Sequence, residues 1–187
     1  EQDRFPATYE GLRQLVERLR GPDGCPWDRE QTADSLKRFF LEECYELIEA
    51  IEQDDPMNTA EELGDVLFNL VFQIKIGLEN EMFGDEQVFG VVIEKLVRRH
   101  PHVFGDVRVA DSTEVKTNWD QIKLAERTDD ASILDGVPKT MPALSYAQAV
   151  QERAARTGFD WEDTDSVIDK LVEEVRELRA AGSSDEI

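Results

Sequence analysis

Apolar positions recur at helical spacing along nearly the whole chain. Leu12, Leu15, Val16 and Leu19 predict a helix from Tyr9 to Leu19, stopped by Gly21-Pro22. Gly24-Cys25-Pro26-Trp27 reads as a loop. A second helix is expected from Asp34 to Gln53, broken by Asp54-Asp55-Pro56. Asn58 followed by Glu61 resembles a capping box opening a third helix, which runs to Glu79. That third helix is apolar almost all round, through Leu63, Val66, Leu67, Leu70, Val71 and Phe72, and is expected to be buried on most sides. Further helices are predicted from Asp85 to Arg99, Thr113 to Glu126, Pro142 to Gly158 and Thr164 to Ala181, with a loop over Phe104 to Asp111. Alternating strand patterns are scarce, and Val103 to Val109 holds a short extended piece at most. The fold class is therefore all-α, of helical-bundle type.

Polar residues divide this series. Thr128 to Met141 mixes acids, Gly and Pro and reads as a linker between a domain over 1–127 and a shorter unit over 142–187. The shorter unit is a weak repeat of the first. Trp27 precedes Glu42-Glu43-Cys44-Tyr45-Glu46, and Trp161 precedes Glu173-Glu174-Val175-Arg176-Glu177. The second copy stops half-way, and the tail from Ala181 is expected to fray.

Charge narrows the function. Among 187 residues, 42 Asp+Glu stand against 21 Lys+Arg, a net charge of −21. A phosphate polymer would be repelled by such a chain, so a nucleic-acid polymer is not an expected partner. A small anionic substrate would need metal ions or a local basic patch. No apolar run approaches the ~20 residues that span a bilayer, and Glu1 to Pro6 carries no signal-like segment. Two cysteines are too few for a disulfide framework. The expectation is a cytoplasmic protein with reduced thiols and no membrane partner.

The acids carry the sharpest signal. On a helical projection of residues 34–53, Leu36, Phe40, Leu47 and Ile51 fall in one arc; Glu43 lies inside it and Glu46 at its edge. Glu62, Asp65 and Asn69 share a face with Phe72 and Ile76. Glu46 and Asp65 each lie about ten residues from the Asp55-Pro56 turn, ~14 Å along their helices. An antiparallel hairpin brings them to similar height, so Glu43, Glu46, Glu62 and Asp65 can converge. Carboxylates on inward faces repel one another and require compensation. An all-oxygen site suits Mg²⁺, Mn²⁺ or Ca²⁺ rather than zinc, and the His of a di-iron Glu-x-x-His pair is missing. A single Glu-x-x-Glu would ordinarily be a solvated face; two such pairs in register favour a ligand.

Basic and aromatic residues admit two readings each. Lys95 and Arg99, at i and i+4, either complement a helix C-terminus or bind phosphates. Lys37 and Lys123 are further phosphate candidates. Trp27 and Trp119 either stack on a base or fill the core. His100 and His102 are expected to fix their loop, and Cys44 to pack.

Together these residues resemble the MazG family, nucleoside triphosphate pyrophosphohydrolases of the all-α NTP-pyrophosphatase superfamily. The family pattern of Glu-Glu-x-x-Glu, a gap, then Glu-x-x-Asp reads here as Glu42-Glu43-Cys44-Tyr45-Glu46 and Glu62-Leu63-Gly64-Asp65. Gly24 to Asp28, Glu94 to Gly105, Asn118 to Lys123 and Leu134 to Pro138 also look like family segments, and the resemblance covers residues 8–180. It implies hydrolysis of a nucleoside triphosphate to the monophosphate and pyrophosphate, with Mg²⁺ (or Mn²⁺) on Glu43, Glu46, Glu62 and Asp65. It implies at least a homodimer. Glu42 is the motif's extra acid and a candidate general base, although it projects off the main face. Lys95 and Arg99 are expected on the polyphosphate, Trp119 near the nucleotide, and Asn69 on sugar or base. One departure stands out: Glu173-Glu174-Val175-Arg176-Glu177 has no Glu-x-x-Asp after it in this sequence. The competing reading is a non-enzymatic divalent-cation-binding helical module with a regulatory or interaction role, which would have no use for Lys95 and Arg99.

Overall fold

In the computed structural model, residues 5–126 and 132–181 are described. The expected linker's residues 128–131 and the tail beyond 181 lie outside them. Among the described residues the secondary structure is helical throughout, with no strand, and none of the helices is long and apolar enough to cross a membrane. The helices are α1 (Tyr9–Arg20), α2 (Pro26–Glu30), α3 (Lys37–Glu52), α4 (Pro56–Glu79), α5 (Val91–Arg99), α6 (Pro101–Phe104), α7 (Ser112–Ala125), α8 (Ala143–Ala155) and α9 (Thr164–Ala180), with a π-helical turn at Glu86–Gly90 before α5. The chain divides into two compact units between Trp119 and Asp120.

In the first unit α4 is the central helix, packed against both α3 and α1. Val16, Leu36, Val71, Phe72 and Ile76 form the core, flanked by Leu12, Phe39 and Phe68. Phe68 meets Phe72 edge-on at 5.5 Å. Arg20 closes the base of this core. Its guanidinium bonds Glu79 at 2.7–2.8 Å and the carbonyls of Asp28 and Gln31 at 2.6 and 3.2 Å, and lies 5.2 Å from the Phe72 ring centre. One charged side chain thus ties α1, α2 and α4 together. A buried guanidinium is tolerated because its donors find partners.

The α3–α4 turn sets the hairpin. Asp54 adopts a left-handed conformation (φ 52°). Its N–H reaches Ile51 O at 3.2 Å, and the N–H of Asp55 reaches Ala50 O at 3.2 Å. This is a Schellman ending, with Asp where Gly is usual. The next helix starts at once. The Asp55 carboxylate accepts from the N–H groups of Met57 and Asn58, both at 3.1 Å, and Pro56 occupies the first helical position. The expected capping box at Asn58 and Glu61 is corrected accordingly: Pro56 opens the helix, because its missing N–H is one that no helix start can satisfy internally. Pro26 does the same for α2, where a loop was expected.

Other differences are local. Residues 85–99 do not form one uniform helix; a π-helical turn precedes α5. Val103 and Phe104 end the short helix α6 rather than starting an extended piece, again behind a proline, Pro101. The third predicted helix, α4, is not buried on most sides: Leu63, Leu67 and Leu70 are 53%, 38% and 43% exposed. Its neighbours within the unit cover one side, while apolar residues continue round the other.

The second unit is held by Arg153 on α8. Its guanidinium donates to the carbonyls of Asp135 at 2.6 Å and Gly136 at 3.1 Å, pinning the turn that buries Val137. The helix α9 starts at Asp163, whose carboxylate accepts from Ser166 N at 2.8 Å.

Candidate metal centre

The hairpin brings three of the predicted acids together at its edge. Glu43 stands on α3 on the same side as half-buried Phe39, Phe40 and Leu47, and Glu62 and Asp65 stand one turn apart on α4. Carboxylate oxygens of Glu43, Glu62 and Asp65 all lie within 4.8 Å of one another. Two of the three residues are half-buried and Asp65 is exposed, so the cluster lies at an open edge of the hairpin.

The fourth predicted ligand, Glu46, is exposed and stands outside this triad. It is nonetheless electrically coupled to it. Burial pushes the Glu43 carboxyl above its ordinary range, followed by the charges of Asp65, Glu46 and Glu62 and a hydrogen bond with the Glu46 carboxyl. Glu62 is raised as well, by desolvation and then by the charges of Glu46, Asp65 and Glu61. A cation among these carboxyls would offset the repulsion that raises them. The donor set is all oxygen, close-spaced and multiply anionic, which fits a hard divalent cation such as Mg²⁺ or Mn²⁺.

The remaining predicted residues divide. Glu42 is exposed on α3. Lys37, at the start of α3, is exposed and pairs with Asp34. Asn69 is only 6% exposed, and its side-chain N–H donates to the Asp65 backbone carbonyl at 3.1 Å. It supports the helix beneath a candidate ligand and faces the same core as Phe72.

A second group forms where α5, α6 and α7 meet. The Arg99 guanidinium lies 5.4 Å from the Trp119 ring centre, within cation–π range. His100 meets Trp119 edge-on at 4.9 Å, and its Nδ1 lies 2.6 Å from the Leu96 carbonyl, one turn back on α5. His102 follows at 5.6 Å from His100. Lys95 is half-buried one turn before Arg99, and Lys123 is half-buried one turn after Trp119. The structure thus joins Arg99 to Trp119 and adds His100, whose part in this cluster the sequence reading missed. The signal available was its position next to Arg99. Trp27, by contrast, packs edge-on against Phe39 at 5.9 Å while remaining half exposed.

The second acidic motif is arranged differently. Lys170 bridges Glu173 at 2.9 Å and Glu174 at 3.0 Å, and these bonds push its own pKa up. Among the described residues, no acidic group comparable to the first triad forms in this unit.

Known proteins place this geometry in context. Residues 31–104, which span α3, α4 and α5, match the MazG nucleotide pyrophosphohydrolase domain. An uncharacterised Bacillus subtilis protein, YabN, is 49% identical over 145 residues, covering 77% of this chain and 30% of its own length. A Thermotoga maritima protein named nucleoside triphosphate pyrophosphohydrolase/pyrophosphatase MazG is 45% identical over 174 residues, covering 92% of this chain and 67% of its own. The chain therefore spans less than a third of one relative and about two thirds of the other. The crystal structure of a MazG-related protein from Thermotoga maritima superposes with a TM-score of 0.54 at 27% identity, covering 62% of this chain and 98% of that one. The matched segment contains the whole acidic hairpin, and the identity to the second relative runs over most of the chain, so this chain belongs to the MazG nucleotide pyrophosphohydrolase family.

Proposed function

We propose that the protein hydrolyses nucleoside triphosphates to the nucleoside monophosphate and pyrophosphate in the presence of Mg²⁺, with Mn²⁺ as a substitute. The observation that carries this reading is the meeting of Glu43, Glu62 and Asp65 oxygens within 4.8 Å across the α3–α4 hairpin. Glu43, Glu46, Glu62 and Asp65 would hold the ion. When bound, a divalent cation neutralises phosphate oxygens and lowers the pKa of water.

The chain's own groups do the rest. Glu43, raised by burial and then by the charges of Asp65, Glu46 and Glu62, is the acid whose ionised form a bound cation would favour. Glu42, exposed one residue before Glu43, is the candidate acceptor for a proton from the attacking water. Lys95 and Arg99 would bind the polyphosphate, with Lys37 and Lys123 as outer cations. Trp119, in contact with Arg99 and His100, would stack on the base. Asn69 is spent on the Asp65 carbonyl, which favours a supporting role over contact with the sugar.

A homodimer, a cytoplasmic location and a partial second unit over 142–187 belong to the same proposal. Among the described residues, Lys170 supplies the counter-charge to Glu173 and Glu174.

Product analysis tests the proposal. The protein is incubated with a panel of ribo- and deoxynucleoside triphosphates, with Mg²⁺ or with EDTA. Monophosphate and pyrophosphate in equal amounts, abolished by EDTA and by Glu46→Ala, are expected. Folded protein that binds Mg²⁺ and releases no pyrophosphate from any of them would favour the non-enzymatic cation-binding module instead.

A further inference from the structure

The α5 helix inverts the usual burial pattern. Its apolar Val91 and Ile93 are 60% and 58% exposed, while its cations Lys95 and Arg99 are half-buried. An amphipathic helix left to itself would do the reverse. The segment before it accounts for this rotation. Asp85 and Phe89, one helical turn apart, meet Arg13 and Tyr9, one turn apart on α1. The Arg13 guanidinium lies 3.2 Å from the Asp85 carboxylate, and the Tyr9 and Phe89 rings meet edge-on with centres 6.3 Å apart. The two pairs run in antiparallel order, so they fix the segment both along and around its axis. A third attachment lies just upstream, where the Phe83 ring sits on the α4 backbone at Gly77; a Cβ there would collide with it.

The π-helical turn Glu86–Gly90 leads from these anchors into α5. A π turn closes i→i+5 bonds where an α turn closes i→i+4, so it takes up one additional residue. Everything after it is rotated by about one residue's worth, ~100°, relative to an uninterrupted α-helix. Counted from Asp85, an uninterrupted helix would bring Arg99 to within ~40° of the side that faces α1. The additional residue turns Arg99 away from that side, to where its guanidinium lies 5.4 Å from the Trp119 ring centre.

We propose that the π-helical turn, anchored on α1 through Asp85 and Phe89, is the positioning element that sets the rotation of α5 and so the direction in which Lys95 and Arg99 meet a polyphosphate. This rests on the reading of Lys95 and Arg99 as phosphate ligands given above. Arg13, Asp85 and the turn touch no substrate; they act through α5.

Deletion of Gly90, the last residue of the turn, keeps the spacing of both anchors and removes the additional residue. Isothermal titration of the full chain with α,β-methylene ATP and Mg²⁺ reads the effect. Arg99→Ala is expected to weaken binding about tenfold or more, the scale of a lost charge-assisted bond. The Gly90 deletion is expected to weaken it as much. The two combined are expected to be no worse than either, because an Arg99 already turned away has nothing further to lose. Mn²⁺ affinity and the helical circular dichroism signal are expected to stay unchanged throughout. Asp85→Asn, which keeps the chain length, is expected to weaken nucleotide binding about threefold, the scale of a part-exposed ion pair, and the exchange of Arg13→Asp with Asp85→Arg to restore it. A wild type that does not bind the analogue, or an Arg99→Ala variant that binds it equally well, overturns the phosphate reading and this proposal with it. A loss in Arg99→Ala without a loss in the deletion, or two losses that add, overturns the role of the turn alone. For a deletion variant that has lost its helical signal, the ion pair decides: Asp85→Asn without effect, or an exchange that fails to restore binding, overturns the role of the turn.

Discussion

Glu43 carries opposing demands. Burial, neighbouring acids and a shared hydrogen bond hold its pKa above the ordinary range. A carboxyl whose folded-state pKa is raised keeps its proton longer folded than unfolded. Apo stability from this group therefore falls as pH rises from the ordinary glutamate value through the raised one. Glu43→Gln is expected to stabilise the metal-free protein at pH 7 by about 0.5 kcal/mol, the scale of a relieved like-charge pair, and to abolish the stabilisation by Mg²⁺. Thermal unfolding with and without Mg²⁺ checks both. Glu79 runs the other way. Desolvation raises its pKa, but the Arg20 hydrogen bond and charge, aided by Lys75, outweigh it and leave the pKa lowered. Its contribution is present above about pH 4.3 and is lost as pH falls through the lowered value. Because Glu79 is a third exposed, Glu79→Gln is expected to cost about 1–2 kcal/mol at pH 7 in urea unfolding, a difference that shrinks on strong acidification. The meeting of Glu43, Glu62 and Asp65 was legible from helical spacing, whereas Glu46, placed by that spacing at the edge of the same face, is exposed and outside the triad. The Arg20–Glu79 bond was not legible, because 59 residues separate its partners and no local pattern joins them.

Elements were legible where periodicity decides them and least so at their ends. The α3–α4 hairpin was visible from apolar spacing and the Asp54-Asp55-Pro56 break. That same break concealed the start of α4, because proline ends a helix when it lies inside and opens one when it lies first. Pro26 and Pro101 open short helices for the same reason. The turn also stores strain that can be relieved. Asp54 sits at φ 52°, a region that costs a non-glycine residue about 1 kcal/mol. Asp54→Gly is expected to stabilise the protein by up to about 1 kcal/mol without moving Glu43 relative to Glu62, as measured by urea unfolding and by unchanged Mg²⁺ affinity. A loss of stability would mean that the Asp54 side chain contributes more than its backbone costs. The exposed side of α4 shows a limit of periodicity: an all-round apolar pattern demands cover but does not say whether the same chain supplies it.

At the scale of the molecule, charge and hairpin belong together. A chain with 21 more acidic than basic residues places three carboxylates within 4.8 Å across one helix pair. Such a concentration of like charge is unfavourable in an empty protein and becomes favourable when a divalent ion enters. The second acidic motif, with Lys170 across Glu173 and Glu174, supplies its own counter-charge instead. The repeat between the two motifs was legible, whereas this difference was not, because a lysine one turn earlier reads equally as a solvated side chain. The most direct measurement is a Mn²⁺ titration followed by electron paramagnetic resonance, on the wild type and on Glu62→Gln and Asp65→Asn. Saturable binding by the wild type, weakened at least about tenfold by either substitution, is the expected result. Mn²⁺ binding of equal strength in all three proteins would contradict a metal centre on the α3–α4 hairpin.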